Sequence, residues 1–151
     1  MFQGSIVALV TPMTEGGAID YSAFEKLIDW QIKEGTQAIL VLGTTGESPT
    51  LSREERTQII QTAVASVNNR VPLIVGTGNN NTQSSIELTR EAMHLGADAA
   101  LLVCPYYNKP TQEGIHQHYK AIASNVAIPQ IIYNVPARTG QLDRKRPFGV
   151  I

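Results

Sequence analysis

AALLVCPYYNKP (residues 99–110) joins two unlike pieces. Ala99–Val103 is five apolar residues with no polar alternation, the pattern of a strand buried on both faces of a parallel sheet. Pro105-Tyr106-Tyr107-Asn108-Lys109-Pro110 then breaks the strand, with two prolines bracketing hydroxylated and amide side chains. The same junction recurs. Ser5–Val10 runs into Thr11-Pro12, Ala38–Leu42 into Gly43-Thr44-Thr45-Gly46, Leu73–Val75 into Gly76-Thr77-Gly78, and Gln130–Tyr133 into Asn134-Val135-Pro136. Five short strands each end in small, hydroxylated or aromatic residues.

Helical patterns fill the intervals. Asp20 caps a helix with Phe24, Leu27, Ile28 and Ile32 on one side, and Gly35 ends it. Ser52 and Glu55 form a capping box before Ile59, Ile60, Ala63, Val64 and Val67. Thr82 opens a third helix that stops near Gly96, and Thr111 a fourth that ends before Pro129. The order is βαβαβαβαβ, with a period of roughly thirty residues and right-handed crossovers between parallel strands. Two architectures fit. A doubly wound, flavodoxin-type sheet suits the length and gathers its ligand at one switch point. A (β/α)8 barrel brings every strand end to one mouth but normally needs about 250 residues. Decoration of all five strand ends favours the barrel, here its first five strands and four helices.

The bulk properties narrow the function. Of the 151 residues, 42% are hydrophobic and 17% charged, and the formal net charge is -1. That balance gives no electrostatic reason to expect nucleic acid or an anionic membrane as a partner. Cys104 is the single cysteine, so an intrachain disulfide is impossible. MFQGSIVALVTPM lacks the basic start of a signal peptide, and no apolar run approaches the ~20 residues of a membrane span. A soluble cytoplasmic protein is expected.

Several motifs admit both a chemical and a structural role. Gly43–Glu47 offers two hydroxyls and backbone N–H groups for a small carboxylate or carbonyl, or is a turn whose threonines satisfy the backbone. Gly76–Thr82 has two of the three glycines of a dinucleotide loop, and a tight strand-to-helix turn is the preferred reading. Tyr106 and Tyr107 suit proton relay or interface anchoring. Arg138, five residues past Tyr133, can fork a carboxylate or simply be solvated. His116 and His118 are two apart on a helix and do not share a face, so metal binding is not expected. His94 suits a helix C-terminus, and Cys104 reads as a small buried residue.

Taken in order, GSIVALVTPM, GTTGES, GTGNNNT, ADAALLVCPYYNKPTQEG and IPQIIYNVPARTG resemble the dihydrodipicolinate synthase family, within the superfamily of pyruvate aldolases that includes N-acetylneuraminate lyase. The likeness covers residues 1 to about 140, and Thr44-Thr45 and Arg138 favour the synthases over the lyases. It implies a (β/α)8 barrel, usually a homotetramer, that condenses pyruvate with aspartate-4-semialdehyde through a lysine Schiff base, without metal or cofactor, on the way to diaminopimelate and lysine. It implies that Tyr133 donates and accepts the proton at the imine, Thr44 relays it, and Tyr107 completes the relay in a neighbouring subunit's site. It gives Thr45 the pyruvate carboxylate and Arg138 the semialdehyde carboxylate. A lysine-feedback site would use Ser48, Asn80 and Tyr106. That site is matched in part: Arg53 and Arg56 stand where feedback-sensitive members often carry histidines, and Ser84 where a glutamate would hold the ligand's amine.

The family's Schiff-base lysine lies on a sixth strand, beyond Tyr133. Lys26, Lys33 and Lys120 fall on helices, Lys109 in a loop, and Lys145 in a basic run. Residues 1–140 are therefore expected to be the N-terminal part of a barrel, and 141–151 an atypical tail where the reading frame is lost or the sequence cut. The chain as written is expected to be inactive. The alternative is a non-catalytic half-barrel or pseudoenzyme acting as an interaction module; a flavodoxin-like binder fits the length alone.

Overall fold

The computed structural model describes residues 2–141. Its strands are β1 (Ile6–Ala8), β2 (Ala38–Val41), β3 (Leu73–Gly76), β4 (Ala99–Val103) and β5 (Gln130–Tyr133). Its helices are α1 (Tyr21–Lys33), α2 (Arg53–Val67), α3 (Thr82–Leu95), α4 (Gln112–Asn125) and the four-residue α5 (Pro136–Thr139), with a 3-10 turn at Ser48–Thr50. The sheet runs β1-β2-β3-β4-β5, and every pairing is parallel.

That sequential order decides between the two architectures. A flavodoxin-type sheet reverses its winding after the first strand and carries helices on both faces. Here each strand lies beside the next, so equal right-handed crossovers leave all the connecting helices on one side. Accordingly α1 packs on α2, α2 on α3 and α3 on α4. The described residues form a half-barrel: five consecutive strands, a helical outer layer and a concave inner face.

Strand alternation sorts the side chains into two layers. Ile39, Val41, Leu73 and Val75 face outward onto Phe24, Ile28, Ile59 and Ala63. Ala100, Leu102 and Cys104 face outward onto Ile115, Tyr119 and Ile122. Ala38, Ile74 and Ala99 point inward, joined by Leu40, Leu101 and Ile131. Burial on both faces holds for β3, where every residue is buried, and fails for β1, whose Ile6 and Ala8 are exposed. The reason is positional: Ile6 and Ala8 pair with Ala38 and Leu40 on the inner face, at the edge of the sheet.

Side-chain caps fix the helix starts. Asp20 accepts from the Ala23 N–H at 2.9 Å, and Ser52 and Glu55 complete their capping box. Thr111 accepts from Gly114 N at 3.1 Å. The third helix starts at Thr82, where the sequence reading places it. Asn81, not Thr82, is the cap, because its carboxamide oxygen accepts from Ser84 N at 3.0 Å. Thr82 is thereby freed to meet Nδ1 of His118, 2.9 Å away on α4.

His118 is buried, its ring edge-on to Tyr119, and burial holds its pKa below the ordinary histidine value. A depressed histidine pKa means that the unfolded chain takes up the proton first. The stability owed to neutral His118 is present above the unfolded value of about 6.5 and is lost as pH falls below it. Urea midpoints measured from pH 7.5 down to pH 5 are expected to fall, and the fall to be shallower in His118→Gln.

Among the described residues no helix is long and apolar enough to cross a membrane. Of the tail assigned to 141–151 only Gln141 belongs to the described residues; Lys145 and the rest lie outside them.

Candidate active site

The C-terminal ends of β2, β3, β4 and β5 open into a cavity of about 770 Å³. Apolar Leu42, Leu101 and Val103 line it together with Thr44, Ser48, Tyr106, Tyr133 and Arg138. Five residues singled out in the sequence therefore share one wall system. Tyr133 ends β5, and its backbone oxygen accepts from Cys104 N at 2.8 Å, which fixes it beside β4. Arg138 sits on α5, a helix that the sequence reading missed because four residues carry no periodicity.

The Gly43–Glu47 loop is held from below. Buried Thr11 donates to Gly46 O at 2.7 Å, and Gly46 N and Glu47 N close successive turns on Gly43 O and Thr44 O. Thr44 and Thr45 are exposed, and among the described residues neither hydroxyl bonds a protein partner. The threonines therefore do not serve the turn itself, and their hydroxyls stay available to a ligand. Thr45 lies outside the cavity lining.

Gly76–Thr82 behaves as the strand-to-helix turn. Thr77 is buried with its hydroxyl 2.8 Å from that of Thr89, and Asn79 N donates to Ser85 Oγ. Gly78 allows close strand packing, since a Cβ there would lie 2.2 Å from Val103 N.

The 105–110 loop divides its two tyrosines. Tyr106 enters the cavity wall, whereas Tyr107, at left-handed φ 69°, points away and is 89% exposed. Asn80 also lies outside the lining; its amide donates to Tyr106 O at 3.3 Å and its carbonyl accepts from Asn108 at 3.0 Å. A second set of bonds ties this loop to the end of β5. Thr139 donates to Asn134 Oδ1 at 2.7 Å, Asn134 donates to Gln141 O at 3.0 Å, and Gln141 donates to Pro110 O at 2.9 Å. These positioning residues went unnoticed in the sequence because ordinary polar loop side chains carry no pattern.

Of the cations on the lining, Arg53 pairs with Glu91 at 3.4 Å. Among the described residues Arg56 and Arg138 form no ion pair, and Lys26, Lys33, Lys109 and Lys120 all lie off the strands. Cys104 is fully buried and its thiol pKa is pushed up by burial, which makes it a packing residue.

Residues 1–142 match the model of the dihydrodipicolinate synthetase family. The chain belongs to this family. The family match takes in all five strands and every residue of the cavity wall. The 4-hydroxy-tetrahydrodipicolinate synthase of Coxiella burnetii is 59% identical over 139 residues, 92% of this chain and 48% of that protein. The corresponding protein of Psychrobacter sp. is 61% identical over 137 residues, 91% and 45% of the two chains. Among solved structures, the chloride-inhibited dihydrodipicolinate synthase of Acinetobacter baumannii, complexed with pyruvate, superimposes with a TM-score of 0.92 at 59% identity, covering 93% of this chain and 48% of that one. The Aquifex aeolicus dihydrodipicolinate synthase gives 0.89 at 54% identity, covering 92% and 47%. The chain thus spans about half the length of the family members it matches.

Proposed function

We propose that the protein is a lyase of lysine and diaminopimelate biosynthesis that condenses pyruvate with aspartate-4-semialdehyde to 4-hydroxy-tetrahydrodipicolinate. The observation that carries this reading is a single cavity at the strand ends with Thr44, Tyr133 and Arg138 on its walls, in a chain of this family. A lysine amine adds to the pyruvate ketone and water leaves, giving an imine. Loss of a methyl proton converts the imine to an enamine, whose carbon attacks the aldehyde carbon while the aldehyde oxygen gains a proton. The substrate's own amine then displaces the lysine as the ring closes.

The imine draws electrons from the forming carbanion, and hydroxyls within reach move the protons. Tyr133 is assigned the proton at the imine and Thr44 its relay. Thr45 is assigned the pyruvate carboxylate, and Arg138, with its planar fork of donors, the semialdehyde carboxylate. Exposed Tyr107 suits a role in the site of a neighbouring copy, in a cytoplasmic homotetramer. The amine, in this reading, comes from a lysine outside residues 2–141, on the strand following β5.

The position of the described lysines, all off the strands, favours a second reading: a non-catalytic half-barrel that serves as an interaction module. Native-source protein incubated with pyruvate and borohydride separates the two. The lyase reading expects one reduced pyruvate on a lysine peptide other than those holding Lys26, Lys33, Lys109 and Lys120. An unmodified intact mass of 16.4 kDa would sink it and leave the interaction module.

A further inference from the structure

A helix of one turn does not hold a side chain in place by itself. Isolated helices shorter than about 12 residues are marginal in water, and α5 has four residues. No side chain caps its first turn, which begins at Pro136, and Gly140 ends it at φ 65°. Yet α5 carries Arg138 on the cavity wall. Among the described residues only the backbone of Arg138 is engaged, its N–H donating to Val135 O at 2.8 Å. Its guanidinium makes no hydrogen bond or ion pair there. The placing of that fork of donors therefore falls to the backbone beneath it and to whatever fixes that backbone.

The next residue supplies the hold. Thr139 is buried, and its hydroxyl proton lies between Asn134 Oδ1 at 2.7 Å and Val135 O at 3.2 Å, while its oxygen accepts from Gln141 N at 3.3 Å. Asn134 Nδ2 donates to Gln141 O at 3.0 Å, which closes a ring of bonds around the end of α5. Gln141 then crosses to the loop that carries Tyr106, where its Nε2 donates to Pro110 O at 2.9 Å. The Lys109 stem lies over the same turn, since a Cβ on Gly140 would be 2.9 Å from Lys109 Cε. Arg138 and Tyr106, both on the cavity lining, are thus braced against each other through Thr139 and Gln141. A satisfied buried network favours one geometry, and a donor held in its binding geometry loses less freedom when a ligand arrives. We infer that Thr139 and Gln141 are positioning residues that set the affinity of the cavity for a carboxylate by holding Arg138 in place. The inference rests on the reading that gives Arg138 the semialdehyde carboxylate.

Succinate is the probe, titrated into the full 151-residue chain and read on the Nε–H NMR signal of Arg138, which is identified by its loss in Arg138→Gln. Succinate is expected to shift that signal. Thr139→Val keeps the shape and deletes the hydroxyl, and is expected to weaken the apparent affinity about fivefold or more. Thr139→Ser loses a methyl group but keeps the hydroxyl, and is expected to bind within about twofold of the parent. A role in packing alone predicts the opposite order for the two variants. Equal affinity in the parent and Thr139→Val, or weaker binding in Thr139→Ser than in Thr139→Val, would overturn the inference and leave the lyase reading standing. An Arg138 signal that succinate does not shift in the parent would overturn both the inference and the assignment of a carboxylate to Arg138. If circular dichroism finds Thr139→Val unfolded, Gln141→Ala decides: severalfold weaker succinate binding supports the brace, and unchanged binding rejects it. An unmodified mass in the borohydride experiment, together with weakened succinate binding in Thr139→Val, sinks the lyase chemistry and not the brace.

Discussion

Gly76→Ala should leave the protein without a stable native sheet. Gly76 ends β3, and a Cβ on it would lie 2.1 Å from Leu42 O and 2.6 Å from the Leu42 carbonyl carbon. Both are backbone atoms, so no rotamer change relieves the clash. Leu42 is itself held at left-handed φ 57° just past β2, and the ladder Val41↔Val75 binds the two strands one residue earlier. Opening the gap would break that ladder and pull Gly76 O from Arg56. Overpacking against movable side chains already costs about 1–3 kcal/mol, so a clash with fixed backbone should cost about 3 kcal/mol or more. Domain stabilities are only about 5–15 kcal/mol in total. The expected result is a collapse of the urea midpoint and of soluble yield; a midpoint close to that of the parent would contradict this account of the β2–β3 junction.

Phe24→Ala should be nearly as damaging. Phe24 is 1% exposed on α1 and packs in the layer that joins α1 and α2 to β2 and β3. Truncating a buried phenylalanine removes its transfer free energy and leaves a cavity, together about 3–5 kcal/mol. Among the described residues α1 is the first helix of the outer layer and its main helical neighbour is α2, so few contacts replace those lost. Reversible urea unfolding should show a midpoint well below that of the parent, with Phe24→Leu between the two. A parental midpoint in Phe24→Ala would mean that α1 is not docked as described.

The parts of the fold that could be read from the chain are those written in residue types. Apolar runs and caps such as Ser52 with Glu55 located the strands and helices, and hydroxyls at each strand end pointed to one mouth. Strand order was not legible, since flavodoxin and barrel windings use the same βα units and differ only in which edge each new strand joins. Which of the candidate site residues face the cavity was not legible in the sequence. Thr44, Tyr133 and Arg138 reach the cavity, whereas Tyr107 turns outward because Tyr107 and Lys109 both adopt positive φ in one short loop. Nothing in PYYNKP distinguishes which tyrosine faces inward. The network through Asn134, Thr139 and Gln141 was invisible for a similar reason: it depends on two loops meeting, 31 residues apart in the chain.

The sequential sheet also governs how the molecule comes apart. Among the described residues β1 pairs with β2 alone and β5 with β4 alone, while β3 has neighbours on both sides and is buried throughout. Each βα unit thus leans on its immediate neighbours, as in a short repeat array. Opening free energy is then graded along the chain. Among the described residues, exposed β1 and half-exposed β5 are expected to open before β3, the strand buried throughout. The cavity straddles that gradient. Its β3 wall belongs to the rigid centre, while Tyr133 and Arg138 ride on the looser end.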